Sequence, residues 1–159
     1  MNETRHNNCV FCKGLENERI LYSTTYYHVI LDAYPVMPGH VLIIPKRHVT
    51  SFLQLTNEER IELFSLIDMV MKVLKKNLNA TGFNIGFNIG ESAGQTIEHL
   101  HCHVIPRYKS TEREKRGGLR KVILAWPEGI NWRNKWINNR LDSNAIALLR
   151  ESFQKFVLD

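Results

Sequence analysis

No stretch of this chain is apolar for more than a few residues, which excludes a membrane-spanning helix, since that needs roughly 20. The amino-terminal MNETRHNNCVFC has no apolar core of the kind a signal peptide carries, so the cytoplasm is the expected compartment, where thiols stay reduced. There is no G-x-x-x-x-G-K-S/T run, which excludes a P-loop. The C-x-x-C at Cys9–Cys12 has no second C-x-x-C to answer it, so by itself it falls two donors short of a four-ligand metal site. Two unrelated thiols or a redox pair remain open, and His48 and His99 are the candidates to complete a ligand set.

The 159 residues are enough for one domain (1–159) with a real core, and 43% hydrophobic with 23% charged content is that of a globular protein. The formal charge of +5 favours an anionic partner, a matter of steering and not of identity.

The informative stretch is GFNIGFNIGESAGQTIEHLHCHVIPR, residues 82–107. Within it His99, His101 and His103 alternate with Leu100, Cys102 and Val104. That period of two is strand geometry and puts three imidazoles on one face. At about 3.3 Å per residue the outer two rings stand roughly 13 Å apart at the backbone, too far for all three to converge on one ion. A graded row follows, with different tasks at its two ends. An imidazole titrates near neutrality, acts as a nucleophile, and binds phosphate when protonated.

Ile20–Tyr22, Tyr27–Asp32 and His40–Pro45 read as strands of an antiparallel meander, with a Pro/Gly turn over 33–39. Thr56-Asn57-Glu58-Glu59 is a capping box opening a helix to about Asn79, with Gly82 as the stop signal. Its expected inward stripe is Ile61, Phe64, Ile67 (or Leu66), Val70, Met71, Leu74 and Leu78. Phe83–Ile89 alternates as a further strand, its apolar face under that helix and its polar face, Asn84, Gly86 and Asn88, toward a polar ligand. The small-residue loop 90–94, with Gln95 and Thr96, suits an anion. Leu119–Ala125 reads as another strand. Asp142–Leu158 reads as a last helix, with Ile146, Leu149, Phe153 and Phe156 inward. The fold class is α+β: an antiparallel sheet of about five strands, a long helix on one face, and a C-terminal helix.

His99-Leu100-His101-Cys102-His103-Val104-Ile105 resembles the signature of the histidine triad family, His-φ-His-φ-His-φ-φ with φ apolar. Pro38-Gly39-His40-Val41-Leu42-Ile43-Ile44-Pro45-Lys46-Arg47-His48 and Ala93-Gly94-Gln95-Thr96 are similar to that family's other blocks. The likeness covers about residues 9–125 and leaves 126–159 as an extension. It implies a HIT-like fold and cleavage of a phosphoanhydride of a dinucleoside polyphosphate at the α-phosphate, through a nucleotidyl-histidine intermediate. A phosphoramidase, a phosphorylase, or a non-catalytic nucleotide-binding module are the alternatives.

By the same resemblance His101 is the nucleophile. His103, Asn88 and Gln95 hold phosphate oxygens, Thr96 lies near the leaving group, and Asp32 takes the ribose diol where a plain turn cap is its other reading. His40 is hydrogen-bonded beside the triad. Zinc-bearing members use the C-x-x-C, the histidine of P-K-x-H and the first triad histidine, which implies a structural zinc on Cys9, Cys12, His48 and His99. A nucleotide substrate and a homodimer are expected, and neither nucleic acid nor membrane. The basic run 109–121 is a solvated loop or a flap over outer phosphates. Trp126, Trp132 and Trp136 serve packing or adenine stacking.

Overall fold

A computed structural model describes residues 8–109 and 131–156. The possible strand 119–125, Trp126, and most of the basic run lie outside the described residues. Five strands, β1 (Ile20–Ser23), β2 (Tyr27–Leu31), β3 (Val41–Pro45), β4 (Gly82–Gly86) and β5 (Cys102–Arg107), form one antiparallel sheet in the order β1-β2-β3-β5-β4. The first three make the expected meander. β5 then inserts between β3 and β4, with Leu42 opposite His103 on one side and Gly86 opposite His103 on the other. That position flanks His103 by a strand on each side.

Every residue of β3 is buried, because both of its faces are covered. Val41 and Ile43 join a large core with Val29, Cys102 and Val104, while Leu42 and Ile44 join a smaller cluster with Cys9, Phe11 and Ile30. Two helices cover the first face: α2 (Asn57–Leu78) and α4 (Ser143–Lys155). On the second lies the short turn α1 (Val10–Lys13), which carries the C-x-x-C. A further short helix, α3 (Trp132–Asn138), precedes α4.

α2 opens on the expected capping box: the Glu59 amide donates to Thr56 Oγ1 at 3.2 Å and the Thr56 amide to Glu59 Oε2 at 2.8 Å. Its buried stripe is the expected one only in part: Val70 and Leu74, with Leu66, are buried, and Ile67, Met71 and Leu78 pack against the core. Leu63, Leu66, Val70, Val73 and Leu74 face inward, whereas Ile61 and Phe64 are 70% and 65% exposed. Apolar residues occupy two adjacent stripes of this helix, and tertiary contacts choose between them. Arg47 holds the buried Glu59 carboxylate at 2.7 and 3.0 Å, and the Tyr27 hydroxyl donates to the Glu59 carbonyl at 2.9 Å. With Glu59 turned in, positions 63, 66 and 70 follow.

The stop of α2 is Asn79, in the left-handed region at φ 57°, and Gly82 instead begins β4. β4 is also shorter than expected. Its pairing ends at Gly86, so Phe87–Ile89 leave the ladder and Ile89 is 41% exposed. α4 is capped by Asp142, whose Oδ1 accepts from the Ala145 amide at 2.8 Å. Leu149 and Phe153 are fully buried and Ile146 packs on the same core. Phe156 lies outward, 40% exposed, beneath the Lys72 ammonium. The 13-residue helix ends within a residue of it, so Phe156 escapes the packed face.

Candidate active site

The histidine row falls on the open face. Leu100, Cys102 and Val104 are buried in the core under α2, while His99, His101 and His103 face the other way, as the alternation requires. The strand itself is shorter than the sequence implies: the ladder starts at Cys102, and a bend over 97–99 leads into it, held by a Leu100 amide bond to the Val49 carbonyl at 2.6 Å. Burial pushes the Cys102 thiol up to about 12, consistent with an unreactive core cysteine.

Each histidine meets different partners. His101 Nδ1 lies 2.7 Å from the His99 carbonyl. A carbonyl only accepts, so Nδ1 carries the proton and Nε2 is left with a lone pair. The ring is 5% exposed and touches Phe11 edge-on, with centroids 5.4 Å apart. The His103 ring stands 4.9 Å away. His103 Nδ1 pairs with His40 Nε2 at 3.0 Å. His40 Nδ1 faces the Val36 amide at 3.4 Å and Asp32 Oδ2 at 3.5 Å. Burial, with His40 and His101 beside it, lowers the His103 pKa to about 4. His40 is also pushed down by burial, against the pull of Asp32. At neutral pH the site therefore holds a neutral His103 ring beside His101.

Asp32 sits one residue past β2 and divides its oxygens. Oδ1 accepts from the Tyr34 amide at 2.8 Å, the turn-cap geometry, while Oδ2 lies 3.5 Å from His40 Nδ1 and 4.0 Å from His103 Nδ1. His40 thus links the triad to Asp32, the place beside the triad expected of it.

The loop after β4 turns at Gly90 and Gly94, both at positive φ (87° and 81°), where side chains are strained. Gln95 ties it down: Oε1 accepts from the Gly90 amide at 2.7 Å and Nε2 donates to the Thr50 carbonyl at 3.1 Å. Its amide is committed to shaping the loop, where the resemblance implied a phosphate contact. Asn88 makes only a long contact, Nδ2 to the Gly94 carbonyl at 3.4 Å. Thr96 is exposed and lines a groove of about 490 Å³ with Cys9, Val10, His48 and Ile97.

Cys9, Cys12, His48 and His99 come together, with their ligand atoms all within 4.8 Å of one another. His99 Nδ1 is 3.3 Å from Cys9 Sγ and 3.5 Å from Cys12 Sγ, and His48 Nδ1 is 3.3 Å from Cys12 Sγ. Bonds of about 2.3 Å to sulfur and about 2.0–2.1 Å to nitrogen give tetrahedral S···N edges of about 3.5 Å. The donor set therefore fits a tetrahedral ion. The second nitrogen of His99 donates to the Pro45 carbonyl at 2.8 Å, which fixes the tautomer that frees Nδ1. Burial and the neighbouring Cys9 raise the Cys12 thiol to about 11, so two thiolates at this spot call for a cation between them.

One contact was not foreseen. Phe11, between the two cysteines, is buried against both His99 and His101, at 5.7 and 5.4 Å between ring centroids. The signal was available: if both cysteines are anchored beside His99, one residue between them must face the row.

The HIT domain model matches residues 14–110. The chain is 38% identical over 100 residues to the bis(5′-nucleosyl)-tetraphosphatase (asymmetrical) of Schizosaccharomyces pombe, which covers 63% of this chain and 55% of that protein. It is 36% identical over 100 residues to the bis(5′-adenosyl)-triphosphatase of Saccharomyces cerevisiae, covering 62% of this chain and 48% of that one. The chain thus spans about half the length of both relatives. A hypothetical histidine triad nucleotide-binding protein from Sulfolobus tokodaii superposes with a TM-score of 0.67 at 29% identity, over 93% of each chain. With the triad on one face of a five-stranded sheet and the match running through all three of its sequence blocks, the chain belongs to the HIT domain family.

Proposed function

We propose that this chain is a hydrolase that cleaves a dinucleoside polyphosphate at the α-phosphate through a covalent intermediate on His101. The observation that carries the reading is the 2.7 Å bond from His101 Nδ1 to the His99 carbonyl, which leaves the lone pair of the neutral ring on Nε2. The names of the two yeast relatives, a tetraphosphatase and a triphosphatase of dinucleosides, support the substrate class.

In the proposed reaction His101 Nε2 attacks the α-phosphorus in line. The P–N bond forms as the bond to the bridging oxygen breaks, and the rest of the polyphosphate leaves. His103, neutral and proposed to carry its proton on Nε2, donates a hydrogen bond to an α-phosphate oxygen as charge builds. Asp32 accepts from the ribose diol, and Asn88 and Thr96 line the path of the leaving group. Water then attacks the same phosphorus, breaks the P–N bond and releases a nucleoside monophosphate. Hydrolysis in ¹⁸O-enriched water should place the label in the nucleoside monophosphate. Label found only in the longer product would show attack at another phosphorus and contradict the reading.

Cys9, Cys12, His48 and His99 are proposed to hold a structural zinc. Four protein donors leave no open position, so the ion's contribution is to fold the amino terminus onto the sheet. A homodimer is also proposed, through one flank of α2 and the edge of β4. The support is apolar: Phe64 is exposed beside half-buried Ile67 and Met71. The Arg60 guanidinium lies over Phe52, which touches Phe87 just past β4.

A further inference from the structure

Residues 132–141 lie outside the span of the family match and reach back to the loop that follows Asp32. The Trp136 ring meets the Tyr34 ring edge-to-face, with centroids 4.9 Å apart and planes at 62°. Asn139 Nδ2 donates to the Pro35 carbonyl at 3.0 Å, and Arg140 Nη2 reaches the Ala33 carbonyl at 3.4 Å. Three consecutive loop residues are thus gripped by one short segment. Tyr34 is 61% exposed, so the sheet does little to hold it, and Trp136 is the ring partner found among the described residues. Its backbone amide in turn fixes Asp32 Oδ1 at 2.8 Å. The same segment walls a cavity of about 320 Å³ onto which Asp32 and His40 also face, through Asn139, Arg140 and Leu141.

We propose that Trp136 and Asn139 are positioning residues for Asp32, and that the C-terminal extension thereby sets this chain's affinity for the ribose of its nucleotide. The inference rests on the reading of Asp32 as the acceptor for the ribose diol. A carboxylate that takes two hydroxyls must hold one orientation. Tyr34 N–H supplies it only while the loop keeps its shape, and the loop is held from the far end of the chain. An acceptor already held in its binding orientation loses less freedom when the diol docks.

Calorimetric titration of the full chain with adenosine 5′-monophosphate and with its 2′,3′-dideoxy analogue tests this. Wild type is expected to prefer the ribonucleotide, and Asp32→Asn to abolish the preference. Trp136→Ala and Asn139→Ala should each cut the preference by about three- to tenfold, the scale of one lost aromatic or hydrogen-bonded contact, with affinity for the dideoxy nucleotide within about twofold of wild type. Trp136→Phe should restore it. Asn139→Ala removes one hydrogen bond from a half-buried side chain, so it reports even where Trp136→Ala does not fold. Equal weakening of both nucleotides, or of neither, would overturn the proposal and leave the extension as packing, with Asp32→Asn still reporting on the ribose. A preference untouched by Asp32→Asn would remove the ribose reading and the proposal together.

Discussion

At the scale of single residues, the site works by giving chemically identical side chains different neighbours. His99 has a carbonyl on one nitrogen and thiols on the other; His101 has a carbonyl on one nitrogen only; His103 has another imidazole. The proposed roles differ accordingly. A pH dependence follows for His103. Its folded pKa is about 4 against an ordinary 6.5, so between those values the unfolded chain binds the proton that the folded chain refuses. The sign is therefore fixed: stability falls as pH drops from about 6.5 to about 4, and the His103 contribution is flat above that window. Urea midpoints at pH 7 and pH 4.5 should fall less for His103→Gln than for wild type; equal slopes would contradict the assignment. Most of these residues were legible in sequence, because a motif spacing names them directly. The Pro45 carbonyl and the double use of Gln95 were not, since each depends on a partner far away in the chain.

At the scale of elements, the clearest claim concerns the turn α1. It is four residues long, too short to be stable alone, and Cys9, Cys12 and Phe11 tie it to the sheet. The purified protein should carry about one zinc per chain, as a tetrahedral site of four protein ligands implies. Cys9→Ser or His48→Ala should lose the metal, measured by elemental analysis, and lower the melting temperature. A metal-free preparation with full thermal stability would sink the assignment. The elements themselves were mostly readable: caps and periodicity placed α2, α4 and the first three strands. The stripe of α2 was readable only in its second half, because two apolar stripes lie side by side in the first turns and the choice falls to Arg47 and Tyr27, contacts from another part of the fold. Gly82 misled for a similar reason: Asn79 could take the left-handed cap itself, which freed the glycine to start β4.

At the scale of the whole molecule, one face of the sheet is packed by α2 and α4 and the other carries the chemistry. The apolar flank of α2 and the edge of β4, unpaired among the described residues, are the surfaces proposed for a partner copy. Light scattering should give twice the mass of the 18.6 kDa chain, and Phe64→Glu should shift it toward the monomer. A wild-type monomer at all concentrations would count against the interface.

The central claim is that His101 forms the covalent bond. A substrate labelled at the α-phosphate, quenched in alkali during turnover, should leave label on a peptide containing His99 to His103. Acid would destroy the phosphoramidate bond. The label should be absent from His101→Ala, which should lose activity by several orders of magnitude, while His103→Ala loses less. Near-normal hydrolysis by His101→Ala, with His103→Ala inactive or label retained, would show that the nucleophile is His103 or an activated water.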